Sequence, residues 1–333
     1  MRVFYKLFFH SIRGVSLALS RRAKKAYKKA EKAKRKRLKR HWLLPQKGDS
    51  AKELLSKFIT QLAVLVLIGC GVILGNELRI TVSTYVLNGN LKDIYNSVVH
   101  TGGELTAGAA ELIKINPDAA GWITIEGTNI DLPVVQRKAA DGNEFYLNHD
   151  FNGGNSKAGT VFIDMRAVIQ PKKQSENLIL YGHNQRDGSM FGELAKYKKD
   201  IDFYREHPTV NFSTNYGSNQ YKIVGYFITT VLPEQSRDGY VFDYHNYFEL
   251  DDENTYNAFI SQVLNRSLVN TAVDVRFGDE FLTLSTCSNE FEPSRFVVVC
   301  RKVRDGESPV VDTASASINT GALEPDYSYI YSK

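Results

Sequence analysis

Cysteine is scarce in this sequence, with three residues in 333, and this scarcity excludes the disulfide framework that stabilises many small secreted domains. Cys287 and Cys300 lie thirteen residues apart with no zinc-type spacing around them, so a structural zinc site is excluded as well. No internal repeat is present. Hydrophobic residues make up 43% of the chain and aromatic residues 11%, so the fold can rest on an ordinary apolar core.

Acidic residues are almost absent from the first forty positions. Residues 1–20 hold three Lys or Arg and no acid, and residues 21–40 hold thirteen Lys or Arg and one Glu. Residues 41–333 keep 26 of the 42 basic and 36 of the 37 acidic residues, a net charge of −10. A basic head therefore precedes an acidic body, which does not fit a nucleic-acid-binding domain, and we expect no nucleic-acid partner.

Charge of either sign is absent from residues 58–76, "FITQLAVLVLIGCGVILGN". A helix of this length would be about 28 Å long, close to the thickness of a bilayer's hydrocarbon core. Because the basic residues precede it, we expect 1–57 in the cytoplasm and 77–333 outside the cell. The basic region is too long for a cleavable signal peptide and no A-x-A-like site follows. We therefore predict an uncleaved single-pass anchor rather than a signal peptide or a buried core helix.

The basic segment 21–40 is rich in Ala, Lys and Arg, which favours a helix. Its charge has two interpretations. It is either an orientation signal for membrane insertion, which we favour, or a surface that binds anionic lipid or a cytoplasmic partner. The sequence does not identify what such a surface would bind.

The exterior part divides into three regions by pattern. Residues 77–115 show helical periodicity, and residues 116–304 contain about eight β-rich runs separated by turn signals. These runs do not alternate with helices as βαβ units do, so we predict a mostly antiparallel barrel or sandwich. Residues 305–333 are rich in Ser, Thr, Gly and Pro without a pattern, and we expect a flexible tail.

One helix is predicted among the late strands, at 252–264. Asp251 and Asp252 stand at its start, where a carboxylate can cap the helix and suits the positive end of the helix dipole. Its apolar residues fall on one face at helical spacing: Tyr256, Phe259, Ile260, Val263 and Leu264.

Two strand ends carry the side chains of interest. Cys287 ends the β-branched run "FLTLSTC", and His183 follows the apolar run "NLILYG". A free thiol has a pKa near 8.5, so a cysteine nucleophile needs a neighbouring base or cation. Gly182 is expected to let the backbone turn sharply and expose His183. The alternatives are a buried Cys287 and a structural turn histidine at His183.

Arg295 opens the next strand, "RFVVVC". Alternation puts Arg295 on the face opposite to Phe296 and Cys300, at the mouth of the strand, where its guanidinium can reach an oxyanion near Cys287. The alternative is a surface ion pair with a nearby glutamate, Glu290 or Glu292. We expect Cys300 to be packed in the sheet, since a disulfide with Cys287 would consume the nucleophile.

These residues together resemble the active site of a sortase. "TLSTC" is followed eight residues later by arginine, and "YGHN" lies upstream. Three flanking stretches resemble class B sortases in particular: "NPDAAGWITIEGTNIDLPVVQ", "FYLNHDFNGGNSKAGTVFID" and "YGHNQRDGSMFGEL". The helix at 252–264 also matches the extra helix that class B members carry before the cysteine strand.

The resemblance implies an eight-stranded sortase barrel with N-terminal helices, on the outer face of a Gram-positive membrane. It assigns the family's cysteine, histidine and arginine to Cys287, His183 and Arg295, and a supporting serine to Ser285. The cysteine of the family attacks a Thr–Gly or Thr–Asn bond of a sorting signal, and an amine of the peptidoglycan cross-bridge or a pilin lysine resolves the thioacyl-enzyme. No metal or other cofactor is implied.

Two other functions stay open at the level of sequence. A cysteine peptidase would release the acyl group to water, and a membrane scaffold would use the barrel only for binding. An L,D-transpeptidase usually has its histidine and cysteine close together in sequence. That function is disfavoured, because His183 and Cys287 are 104 residues apart. The sequence does not identify the sorting motif or decide between a cell-wall and a pilin acceptor. We expect specificity to lie in the loop 231–251 and in the late helix.

Overall fold

The computed structural model describes residues 21–38, 43–97 and 105–332 of the chain. The chain divides into two units, one ending at Asn76 and the other running from Glu77 to Lys333. The helices are α1 (Arg21–Leu38), α2 (Ala51–Asn96), α3 (Ala107–Ile115), α4 (Gly142–Phe145), α5 (Ile201–Glu206), α6 (Glu253–Arg266) and α7 (Tyr327–Ile330). Short 3-10 helices cover Gly192–Lys196, Pro233–Gln235 and Tyr244–Asn246.

Twelve strands are present in the described residues. They are β1 (Ala119–Thr124), β2 (Asp131–Val135), β3 (Val161–Ile163), β4 (Ile169–Gln170), β5 (Lys173–Gln174), β6 (Asn177–Tyr181), β7 (Thr209–Thr214), β8 (Gly217–Thr230), β9 (Val269–Asn270), β10 (Phe281–Cys287), β11 (Ser294–Lys302) and β12 (Ser317–Ile318). Eight of them close into a barrel in the order β1-β2-β3-β6-β10-β11-β8-β7. Neighbours are antiparallel except β2 with β3 and β6 with β10. The predicted eight-stranded barrel is confirmed.

Helix α2 contains the predicted membrane span and extends well beyond it. It is the one helix among the described residues that is long and apolar enough to cross a membrane, and its most apolar stretch is unburied. The helical region predicted at 77–115 contains α3 and, before it, the end of α2. There Leu91 is buried, and Tyr95 stacks on Trp122 of β1 at 4.9 Å between ring centroids. Residues 1–20 and Val98 lie outside the described residues.

Strands β6, β10 and β11 of the barrel wall are buried on both faces, which explains their nearly continuous apolar runs. On β11, Phe296, Val298 and Cys300 join the interior cluster, whereas Val297 and Val299 face outward into a second cluster with α6. This is the alternation that the sequence predicts for a strand.

Helix α6 forms where the sequence predicts a helix, and its buried face covers that outer face of the barrel. Asp252 caps it, because its side chain accepts hydrogen bonds from the backbone N–H groups of Asn254 and Thr255, both at 3.0 Å. Phe259 and Val263 are fully buried. Leu264 is 45% exposed, so its assignment to the buried face is wrong: it lies at the edge of the apolar stripe.

The C-terminal segment differs from the flexible tail that its composition predicts. Strand β12 pairs with β9, and Ala316 and Ala322 are buried. Glu307 forms charge-assisted hydrogen bonds with Arg301, whose side chain has no exposed surface, and with Lys222. The segment is held by partners far away in sequence, which a local pattern does not reveal.

These two cations hold the pKa of Glu307 well below its usual range, the bond from Arg301 contributing most. The carboxylate therefore stabilises the fold above the ordinary glutamate pKa of about 4.3, and this contribution is lost as the pH falls through the lower folded value. We expect Glu307→Gln to lower the free energy of unfolding by about 3 kcal/mol at pH 7, because it leaves the buried Arg301 with only the more distant and exposed carboxylate of Asp274, at 3.5 Å.

Denaturant unfolding of the detergent-solubilised chain measures this difference at several pH values. The gap between the wild type and Glu307→Gln should shrink as the pH falls below about 4. A gap that is equal at pH 7 and pH 3 would contradict the role given to the ionised carboxylate.

Candidate active site

The parallel pairing of β6 with β10 brings the two predicted strand ends to the same rim of the barrel. Leu180 and Tyr181 are in register with Leu284 and Ser285, and the N–H of Gly182 donates to the carbonyl of Ser285 at 3.2 Å. His183 and Cys287 each follow this last pair by two residues, so they lie at the same level of the rim.

The antiparallel hairpin of β10 and β11 adds the third group. Cys287 is the register partner of Arg295, at the last rung of the pair. Cys287 is exposed, whereas Arg295 is half-buried. The structure thus brings Cys287, His183 and Arg295 to one rim, although the first two are 104 residues apart in sequence.

The imidazole of His183 is oriented by one backbone carbonyl. Its Nε2 lies 2.7 Å from the oxygen of Leu147, which can only accept, so Nε2 is the donor and Nδ1 is the nitrogen left as an acceptor. Gly159 makes room for this ring, since a Cβ there would lie 3.1 Å from Cδ2 of His183.

Gly182 serves a different purpose from the one expected. It has no left-handed conformation; instead, a Cβ at this position would lie 2.8 Å from the ring of Phe191. The glycine therefore permits close packing of Phe191 beneath the His183 turn rather than a sharp reversal of the backbone.

Arg295 is not engaged by a carboxylate among the described residues. Its Nη1 donates to the carbonyl of Ser294 at 3.0 Å, and the nearby Glu290 pairs with Lys198 at 2.7 Å. The surface ion pair with Glu290 or Glu292 is therefore not formed. The guanidinium lines a cleft of about 170 Å³. The other lining residues are Tyr181, Thr230, Val231, Val241, Phe242, Asp243, Tyr244 and His245.

Ser285 lies below this cleft and is almost fully buried. Its Oγ is 2.6 Å from the hydroxyl of Tyr244. Burial raises the pKa of Tyr244, so this phenol stays protonated, and the charge of Arg295 opposes the shift only in part. The pair joins the cysteine strand to the wall of the cleft.

Two contacts near Cys287 are not evident from the sequence. The side-chain amide of Asn184 donates to the carbonyl of Cys287 at 2.8 Å, and the Nζ of Lys198 donates to the carbonyl of Ser288 at 2.9 Å. Asn184 belongs to the quoted "YGHN", which is the one signal that pointed towards it. Lys198 and Tyr244 carry no local signal, because their partners are about 90 and 40 residues away.

The other cysteine of the barrel is chemically different. Cys300 is fully buried, and this burial raises the pKa of its thiol. All three cysteines are free. A buried, protonated thiol is a poor nucleophile, and of the two barrel cysteines Cys287 is the exposed one.

Comparison with known proteins gives one consistent result. The sortase domain matches residues 123–303. Sortase B of Staphylococcus aureus is 35% identical over 193 residues, which is 58% of this chain and 72% of that protein. Sortase B of Listeria monocytogenes is 30% identical over 252 residues, or 74% of this chain and 96% of that protein.

The fold agrees with these similarities. A crystal structure of sortase B from Bacillus anthracis superposes with a TM-score of 0.57 at 28% identity, covering 68% of this chain and 99% of that one. A Staphylococcus aureus sortase B–substrate complex gives a TM-score of 0.56 at 26% identity, covering 67% and 97%. The chain therefore belongs to the sortase family, as a class B member and a cysteine transpeptidase of the cell-wall-anchoring type.

Proposed function

We propose that this chain is a membrane-anchored transpeptidase that cleaves a C-terminal sorting signal through Cys287. It then transfers the acyl group to an amine of the peptidoglycan cross-bridge or to a pilin lysine. The observation that carries the proposal is the exposed Cys287 facing Arg295 at the last rung of the β10–β11 hairpin, with His183 on the neighbouring strand end.

The reaction divides amide exchange into two steps. In the first, the Sγ of Cys287 attacks the carbonyl carbon of the signal's threonine, the C–N bond breaks, and the leaving amine takes a proton from His183. In the second, the acceptor amine attacks the thioester and gives a proton to His183, and the C–S bond breaks to restore the thiolate. No oxidant, reductant or metal enters this balance.

His183 acts as acid and then as base in these steps. The hydrogen bond from Nε2 to Leu147 supports this role, because it fixes the ring and leaves Nδ1 to exchange the proton. An imidazole that is held through Nε2 keeps the same orientation in both half-reactions.

Arg295 stabilises the oxyanion of each tetrahedral intermediate. A guanidinium stays charged at every pH at which the protein is folded and offers a rigid fork of donors. Its lack of a carboxylate partner among the described residues supports this role, since the charge stays available for substrate. Ser285 and Tyr244 support the wall of the cleft beside it.

The sorting signal is proposed to bind in the cleft beside Arg295. Six of its lining residues, Val231 and the run from Val241 to His245, belong to the loop that we expect to determine specificity. The solved complex of a Staphylococcus aureus relative with substrate makes peptide binding by this fold a sound precedent.

A peptide assay with and without an amine tests the proposed function. With NPxTN- or LPxTG-type peptides and a triglycine acceptor, the wild type should form an amine-dependent product. Cys287→Ala should lower the rate by more than about 1,000-fold, because no thioester can form. The matched variant Cys300→Ala should stay within about two-fold. Cleavage indifferent to the amine would identify a peptidase, and an active Cys287→Ala would exclude cysteine catalysis.

The proposed roles of His183 and Arg295 should be distinguishable by how each substitution changes the pH dependence of catalysis. His183→Ala should remove one limb of the pH profile of kcat/KM and lower kcat by about 100-fold or more, because the acid–base group is lost. Arg295→Lys should lower kcat by about 100-fold at every pH, because the fork of donors is lost but the charge does not titrate.

The exposed Arg276 provides the control, and Arg276→Lys should leave kcat unchanged. An unchanged pH profile in His183→Ala would contradict the acid–base role of His183, and an unchanged kcat in Arg295→Lys would contradict the oxyanion-stabilising role of Arg295.

We also propose that 58–76 spans the membrane, with 1–57 inside and the barrel outside. The apolar stretch of α2 and the basic residues before it support this orientation. On intact cells, a membrane-impermeant maleimide should modify Cys287 in the wild type and should leave Cys287→Ala unmodified. Modification that occurs only after lysis would reverse the orientation.

A further inference from the structure

The loop 288–293 connects Cys287 to the strand that carries Arg295. Because these two residues are register partners, any displacement of the loop moves both ends of the hairpin at once. The loop contains the buried Ser288 and the nearly buried Phe291, an unusual content for an exposed hairpin connection. Its position is set by contacts from two other parts of the chain.

Lys198 holds the loop from the barrel side. Its side chain is 7% exposed, and its Nζ donates to the carbonyl of Ser288 at 2.9 Å and to the Oγ of Ser288 at 3.0 Å. The same ammonium group pairs with Glu290 at 2.7 Å. This tie is formed entirely within the part of the chain that matches the sortase domain.

The C-terminal segment holds the loop from the other side. The ring of Tyr327 packs edge-on against Phe291, with centroids 6.1 Å apart, and the hydroxyl of Tyr331 donates to the carbonyl of Glu290 at 3.2 Å. The rings of Tyr327 and Tyr331 are themselves stacked at 6.0 Å. Two aromatic residues of one short helical turn therefore face the catalytic hairpin.

A third set of contacts joins this segment to the wall of the cleft. The N–H of Asp326 donates to the carbonyl of Gln235 at 2.8 Å, and Pro325 forms a bridge with Ser236. The side-chain amide of Gln235 in turn donates to the carbonyl of Glu292 at 2.9 Å. The C-terminal segment, the turn after β8 and the loop 288–293 thus form one closed ring of contacts.

We propose that residues 321–332 are a strap that positions the loop 288–293, with Tyr327 as its main positioning residue. The strap keeps Cys287 and Arg295 in the register that the reaction needs. This inference rests on the proposed function. The strap lies beyond the residues that match the sortase domain, so it is an addition to the barrel that the family model describes.

The strap positions the loop 288–293 and adds little to the free energy of unfolding of the barrel. Tyr327 and Ile330 are only half-buried, and the buried residues of the strap, Ala322 and Pro325, are small, whereas the Arg301–Glu307 pair and the buried Ala316 precede residue 321. Its loss should therefore leave the barrel folded. A loop without such ties opens locally at low free energy, and a misplacement of about 1 Å at a reacting group can lower a rate by up to 100-fold.

Four forms of the full chain in detergent test the strap: wild type, Tyr327→Ala, Tyr327→Phe and the control Val310→Ala, whose residue is 76% exposed in the same segment. A chain ending at Thr320 is the fifth. Amide hydrogen exchange of 288–293, the melting temperature, kcat and KM are measured for each.

In Tyr327→Ala and in the chain ending at Thr320, exchange of 288–293 should be about ten-fold faster. Their kcat should fall about ten-fold with KM within two-fold and an almost unchanged melting temperature. Tyr327→Phe keeps the ring and should behave like the wild type, as should Val310→Ala.

Unchanged exchange of 288–293 in Tyr327→Ala would overturn the strap. Faster exchange with an unchanged kcat, or a loss of activity that follows the unfolded fraction, would also overturn the positioning role. These outcomes are distinct from failure of the proposed function, because hydrogen exchange does not depend on the reaction. That failure would appear instead as an active Cys287→Ala.

Discussion

The parallel pairing of β6 with β10 is the constraint on which the site depends. Parallel neighbours end at the same edge, so whatever follows the two strands must meet there, however long the connection between them. The antiparallel hairpin of β10 and β11 then places Arg295 opposite Cys287 by its register alone. Everything else near the site, including the histidine's carbonyl partner and the ties to the hairpin loop, adjusts side chains that this topology has already brought together.

Burial of both barrel faces sets how firmly that topology is held. The interior cluster and the layer beneath α6 draw on alternate residues of the same strands, so a shift of register would exchange the two sets and misplace both. One polar pair within this wall is satisfied internally: the hydroxyl of Thr283 on β10 donates to the side-chain oxygen of Asn177 at 2.9 Å. This dense packing ends at the rim, where Cys287 is exposed and Arg295 is half-buried.

Sequence reasoning succeeded where structure follows from local pattern. The eight barrel strands, the capped helix α6, the long apolar helix and the face occupied by Phe296 and Cys300 all follow from periodicity and end signals. It failed for the C-terminal segment, whose two-residue strand and single helical turn are stable only against distant partners. It also gave no sign of Lys198 or Tyr244, because hydrogen bonds across 90 or 40 residues leave no spacing to detect. Leu264 shows the limit of this reasoning within one helix. Whether a residue at the edge of the apolar stripe is buried depends on the elements packed against the helix, which the helical periodicity does not reveal.

The burial of Cys300 has a consequence for oxidation. Cys300 pairs with Leu282, five rungs from the end of β10, which places it roughly 17 Å along the strand from Cys287. A sulfenic acid formed on Cys287 has no second thiol of this domain with which to condense, and so it cannot be stored as an internal disulfide. Its repair requires a small-molecule thiol or a reductase from outside. An enzyme of this design depends on the redox state of its surroundings to stay active.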